Sequence, residues 1–184
     1  MADEGGASGW FVYEHTVDSL FFKALAARIS PPLKEKLKAL NIDLDGKPKN
    51  VPQGEWVQAL RLAADELFTG PIDDRYRSLG RAVLQRFEDT LMGKAIIAVM
   101  RVMGPARALR RIEGNLRGGN NFIRATLEQK GEREFVSEVN ECNGNPHYIA
   151  GVIEAALHIA GAKEVSVKVL HFDGHAAKYA INWS

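Results

Sequence analysis

From about residue 119 onward the apolar residues stop recurring every third or fourth position and begin to alternate. In "NFIRATLEQKGEREFVSEVNEC", Ile123, Ala125 and Leu127 are separated by polar residues. A period of two belongs to a strand with one buried face, because successive side chains point to opposite sides. The stretch predicts two strands joined at Lys130–Gly131. "NPHYIAGVIEAALHIAG" then returns to a helical period: Ile149, Val152, Ile153, Ala156 and Ala160 form one stripe, and Gly161 is placed to stop it. "KEVSVKVL" and "HAAKYAINWS" are strands again. A β-β-α-β-β unit over 119–184 behind a helical region over 9–118 predicts one α+β domain, its helices packed on one face of an antiparallel sheet.

The first part of the chain carries repeated helical stripes. "GWFVYEHT" (9–16) is aromatic and β-branched and suits a short strand, with Thr16 and Asp18 as candidate caps for a helix through "DSLFFKALAARI". Ser30 and Pro31 open the next helix as cap and first residue. The segment 41–54, with a glycine and two prolines, is a loop. Trp56, Leu60, Ala63 and Leu67 share a face, as do Ile72, Tyr76, Leu79, Val83, Phe87 and Leu91, and as do Ile96, Met100 and Met103. "GPARALRRIEGNLRGGN" (104–120) starts a helix with Pro105 and ends in glycines. Residues 1–8 are expected to be a disordered leader.

Charge narrows the function. With 24 basic and 23 acidic side chains the formal charge is +1, so no global field recruits nucleic acid or anionic lipid. Arg107, Arg110, Arg111 and Arg117, with Lys94 and Arg101, form a local basic run that reads as a solvated helix face. It could also meet an acidic partner or an anionic head group, but no aromatic platform for stacking bases accompanies it. The single cysteine, Cys142, excludes an internal disulfide and reads as a small buried hydrophobe. No segment approaches the roughly 20 apolar residues of a membrane span. A cytoplasmic protein is expected. There is no G-x-S-x-G, H-E-x-x-H or P-loop, and the glycines of "RGGNNF" lead into a strand rather than a helix.

"HFDGH" (171–175) falls in the last hairpin. A three-residue loop Phe172–Asp173–Gly174 gathers Val165, Val167, Val169, Ala177, Tyr179, Ile181 and Trp183 on one face, whereas a two-residue loop splits that set. The former register sets His171 opposite His175. Two imidazoles fall short of the three or four protein ligands a zinc ion takes. The pair reads as rim histidines, or as part of a metal site only if other donors join it; no metal is assigned.

The chain from about Gly9 onward resembles an uncharacterised family of about this length, with paralogues in myxobacteria. "GWFVYEHTVDSLFFKAL", "YRSLGRAVLQRF", "VMGPARALRRI" and "NPHYIAGVIEAALHIAGAKEVSVKV…YAINW" carry the resemblance. The closing helix–"AGA"–strand–turn–strand–Trp pattern is similar to the four-vinyl-reductase-type domain and its relatives. These include haem nitric-oxide-binding sensors and vesicle-tethering subunits with an acyl-binding cavity. "YRSLGR" (76–81) resembles the Tyr-x-Ser-x-Arg haem-propionate motif of the haem sensors, but Arg81 comes one residue late, which turns it by about 100° on a helix. Relatives commonly carry cysteines around the last turn; Ala177 stands where one would fall, and Tyr179 and Trp183 match the aromatic positions that follow. Neither haem nor thiol chemistry is expected here.

The resemblance implies a small-molecule-binding or scaffolding domain, often regulatory and often dimeric. The expected function is a non-enzymatic ligand-binding or sensory domain for an apolar small molecule, with no cofactor. Phe87, Met100, Ile123, Val167 and Tyr179 are candidate lining residues, each equally readable as plain core. Met92, Met100 and Met103 can fill such a core or adapt to a ligand. His171 and His175 are a candidate polar mouth. The alternative is an adaptor acting as a homodimer with a regulatory protein partner and no ligand. An exposed apolar patch on one helix would favour it, and a cavity the first reading. An enzyme using His171, His175 or Cys142 would show perturbed groups clustered in a cleft.

Overall fold

The computed structural model describes residues 9–86 and 91–184. Strand β1 (Phe11–Val12) leads into α1 (Glu14–Val17), which runs on through a π-helical stretch over Asp18–Ala24 and a 3₁₀ turn over Ala26–Arg28. The helix thus starts before Thr16 and Asp18, neither of which caps it. The Leu25 N–H reaches back five residues to Leu20 O, and both leucines are fully buried. Ser30 does cap α2 (Pro31–Ala39): its Oγ accepts the Leu33 N–H at 3.4 Å. The following loop ends in β2 (Val51–Pro52), which pairs with β1 and starts α3 (Gln53–Leu67).

Helices α4 (Ile72–Gln85), α5 (Leu91–Met103), α6 (Pro105–Leu109) and α7 (Ile112–Gly119) follow. The helix expected from Pro105 is therefore two, broken at Arg110–Arg111. Strands β3 (Ala125–Gly131) and β4 (Glu134–Val139) form a hairpin, α8 (Pro146–Ile159) crosses the sheet, and β5 (Ser166–Phe172) and β6 (Ala177–Asn182) close it. The antiparallel order is β3-β4-β6-β5. Phe135, Val139, Val167, Ala177, Tyr179 and Ile181 are buried on its inner face, beneath α8, with α4 packed on α8. The α+β architecture with helices on one sheet face is the one expected.

Two turns differ from expectation. The first hairpin turns at Glu132–Arg133, and the pairing slips between Gln129 and Gly131. In the second, the expected face is kept but the pairing moves on: Val167 faces Ile181 and Val169 faces Tyr179. A bulge at the exposed Leu170 then sets His171 opposite Lys178, not His175. The cause lies in the turn. The Asp173 carboxylate accepts the N–H groups of His175 at 2.9 Å and Ala176 at 2.7 Å, and Gly174 takes φ 106°. This Asx-type turn is longer than the three-residue loop, so the strand takes up the mismatch as a bulge.

Candidate functional site

The helices α4 and α8 meet at two glycines. A Cβ on Gly80 would lie 2.0 Å from Tyr148 O, and one on Gly151 would lie 2.0 Å from Arg77 O. Only glycine allows the backbones this close. Beside the crossing, Arg77 and Arg81 of α4 both pair with the buried Glu154 of α8. Arg81 donates from Nε to Glu154 Oε2 at 2.8 Å, and Arg77 also donates to Val167 O at 3.0 Å. The arginine of "YRSLGR" that fell one residue late is therefore one turn after Arg77, which lets both reach the same carboxylate. His147 completes the cluster, its Nδ1 accepting from Arg77 Nη2 at 3.0 Å. Burial lowers the His147 pKa, against the raising pull of Asp73.

At the N-terminal end of α8, the loop "NECNGN" (140–145) is held on several sides. The Cys142 N–H donates to His175 O at 2.9 Å. Tyr179 donates its hydroxyl to Pro146 O at 2.9 Å and lies 3.2 Å from Cys142 Sγ, so the thiol is the donor to Tyr179. Burial pushes the Cys142 thiol up to about 12, and the Tyr179 phenol is also pushed up, first by burial. Buried Glu141 accepts the Asn143 N–H at 2.8 Å through one oxygen, and its other oxygen lies 3.2 Å from His175 Nδ1. Asn143 adopts φ 54°, a left-handed conformation that asparagine tolerates. Its side chain is the exception to this bonding. Asn143 Oδ1 is buried and has no partner among the described residues.

Asn143 lines a cavity of about 420 Å³ between α8 and the α5–α7 segment. Trp56 of α3 and Tyr148 of α8 line it together with Ile97, Met100, Leu109, Ile112 and Leu116, and His15, Thr16, Ser19 and Asn120 are its other polar lining residues. Among the described residues the lining holds no Asp, Glu, Lys or Arg. Burial alone raises the Tyr148 phenol, with no hydrogen bond contributing. On the solvent side of this segment, Lys94, Arg101, Arg107, Arg110, Arg111 and Arg117 are all exposed.

Of the sequence candidates, Met100 and Ile123 lie in this lining. Val167 and Tyr179 do not; they are buried on the inner face of the sheet. Phe87 lies outside the described residues. His171 lies in a second hollow of about 460 Å³, lined by Arg124, Glu138 and Lys178. His175 is exposed and bonded to Glu141, so the two histidines do not share a mouth. Among the described residues no three His, Cys, Asp or Glu side chains gather to hold a metal. Asn143 and Tyr148 were missed from sequence; the turn-rich "NECNGN" before an aromatic first helical turn was the available signal.

The fold matches solved structures. A crystal structure of Fe(II) unliganded H-NOX protein from K. algicida aligns with TM-score 0.67 and 16% identity, over 93% of this chain and 96% of that one. A structure described as probing the function of heme distortion in the H-NOX family aligns with TM-score 0.59 and 15% identity, over 93% and 95%. An oxygen-binding H-NOX domain related to soluble guanylate cyclases aligns with TM-score 0.57 and 14% identity, over 92% of each. At these identities the likeness establishes the fold. No curated protein matches the sequence. One family model, described as "Protein of unknown function (DUF2378)", matches residues 11–184.

Proposed function

This chain belongs to the DUF2378 family, and we propose that it is a non-enzymatic sensory or regulatory domain that binds an apolar small molecule between α8 and the α5–α7 segment. The observation that carries this reading is the cavity of about 420 Å³ with no Asp, Glu, Lys or Arg in its described lining. Small-molecule sites have this character: about 300–1,000 Å³, mostly apolar, with few polar groups. The H-NOX structures, described by oxygen binding or heme, lend support because the same fold holds a ligand in them.

The residues here do not fit a haem. Iron in such a group is held by an imidazole, a thiolate or another strong donor. The one imidazole in the described lining, His15, has its Nε2 2.7 Å from Gly118 O and stacks on Tyr13, and the Tyr148 phenol, which would have to ionise to hold iron, is pushed up by burial. The Cys142 thiol is bonded to Tyr179 and held protonated. Arg77 and Arg81, which a propionate would need, are bound to Glu154. The ligand we propose is organic and metal-free.

Native mass spectrometry with a UV–visible spectrum, on protein purified gently from cells, tests the proposal. The expected result is an added mass without a haem absorbance. Ala156→Trp, which fills the cavity from α8, should abolish it. Bare protein under all conditions would count against ligand binding.

A second reading, an adaptor acting through its helices as a homodimer or with an acidic partner, has its own observation. Val99 and Val102 on α5 are 53% and 88% exposed, beside Arg101. Exposed apolar side chains grouped on one helix face mark contact surfaces when they form a patch. A dimeric mass lost in Val102→Asp would support this reading.

A further inference from the structure

The described cavity lining is mostly apolar, and among its polar side chains His15, Ser19 and Asn120 are hydrogen-bonded within the protein, whereas Asn143 and Tyr148 present polar atoms that the protein does not use. Asn143 Oδ1 is buried without a partner among the described residues. Tyr148, five residues on and in the first turn of α8, is buried in the same lining. Its phenol is shifted by burial alone. Buried polar groups are otherwise bonded in folded proteins, and an exception calls for a specific explanation. Loose packing does not explain this one. The backbone on either side of Asn143 is tied down, by Glu141 to its own N–H and by the Asn145 N–H to Cys142 O.

We infer that Asn143 and Tyr148 are a head-group site, and that the ligand is a neutral apolar molecule ending in a hydroxyl, with the hydroxyl donating to Asn143 Oδ1 and accepting from Tyr148. This rests on the cavity reading above and assigns its ligand class. A hydroxyl carries one donor and two acceptor lone pairs, so one group satisfies both residues. A carboxylate has no proton to give Asn143 Oδ1. It would also enter a lining with no Lys or Arg among the described residues, and a buried unpaired charge is strongly disfavoured. A primary ammonium is excluded on the same ground, for want of an Asp or Glu. The unused polar atoms of Asn143 and Tyr148 and the apolar side chains of α8 and α5 together set the orientation: head at the N-terminal end of α8, tail along Val152 and Ala156 toward Met100.

The test is calorimetric or fluorescence titration of the full chain with three probes of one chain length: dodecanol, dodecyl methyl ether and dodecanoate. The ether accepts but cannot donate. Dodecanol should bind about fivefold to tenfold more tightly than the ether, the worth of one hydrogen bond to a buried acceptor. Dodecanoate should bind weakest. Asn143→Gly keeps the left-handed backbone and should bring alcohol and ether to equal affinity, leaving the ether unchanged. Tyr148→Phe, which removes a hydroxyl that no hydrogen bond supports, should fold normally and weaken both alcohol and ether. Equal affinity of alcohol and ether for the unaltered protein would overturn the head-group assignment while the cavity reading stands. So would tightest binding of dodecanoate. Binding of none of the three would overturn both.

Discussion

His175 Nδ1 lies 3.2 Å from Oε2 of Glu141, and the other oxygen of that buried carboxylate accepts the backbone N–H of Asn143 at 2.8 Å. One histidine of "HFDGH" therefore positions the loop that presents Asn143 to the cavity. The two partners should differ in cost. Glu141→Ala strands the Asn143 N–H in a buried loop and should destabilise the protein by about 1–3 kcal/mol. His175 has a side chain 82% exposed, so water can replace its contact with Glu141, and His175→Ala should cost about 0–1 kcal/mol. Urea denaturation of both variants checks this. Equal losses would mean that His175, not the Asn143 N–H, dominates the role of Glu141.

The α4–α8 crossing should be the least tolerant point of the fold. Adding one methyl at Gly80 or Gly151 places it 2.0 Å from a backbone oxygen of the facing helix, which cannot yield as a side-chain tip could. Gly80→Ala and Gly151→Ala should each cost about 3 kcal/mol or more, at the upper end of overpacking effects. Gly114, where an added Cβ meets nothing within 4 Å, is the control: it also lies inside a helix, and Gly114→Ala should be neutral or stabilising. Thermal melts of the three variants compare them directly. Similar melting points for all three would mean that the helices separate at small cost.

Cys142 should behave as an inert thiol. It is fully buried, bonded to Tyr179, and pushed by burial up to about 12, so almost no thiolate exists at neutral pH. Iodoacetamide should leave the native protein unmodified and label it once in denaturant, as read by intact mass. Rapid labelling of the native chain would put the thiol at the surface and return the enzyme reading to consideration.

What the sequence disclosed follows the range of the physics behind each feature. The inner face of the sheet was legible because alternation is local: Val167 and Val169 share one side of their strand, Tyr179 and Ile181 one side of theirs, and burying both sets together selects the registers that put them on the same face. The register was not, because it depends on the Asp173 side chain bonding two backbone N–H groups, and that four-residue turn displaced His171 onto Lys178. Met100 and Ile123 were placed near a ligand by hydrophobicity, which cannot separate a cavity wall from a filled core; Val167 and Tyr179 met the same criterion and lie in the core. Asn143 lies 32 residues before His175, the difference of their numbers, and that separation kept its place in the wall out of reach of local pattern. Glu154 left a trace, a lone carboxylate in an apolar helix, but its partners Arg77 and Arg81 come from another element.

His147 gives the fold a pH dependence with a definite sign. Its Nδ1 accepts from Arg77 and its Nε2 lies 3.4 Å from Asp73 Oδ2, so the neutral ring has its proton on Nε2. Burial lowers its pKa below the ordinary 6.5, and the Arg77 guanidinium acts in the same direction, while Asp73 opposes both. The folded state thus binds this proton less readily than the unfolded chain. Between the folded value and 6.5 the unfolded state carries more protons, and stability rises with pH there. The contribution of His147 is complete above 6.5 and is lost as pH falls through the window beneath it. Protonation at Nδ1 also removes the acceptor that Arg77 uses, which loosens the Glu154 cluster beside the cavity. An NMR titration should show the His147 ring titrating below 6.5. His147→Gln should flatten the fall in denaturation midpoint between pH values above and below 6.5. A His147 ring that titrates above 6.5 would mean that Asp73 outweighs burial, and the sign of the dependence would reverse.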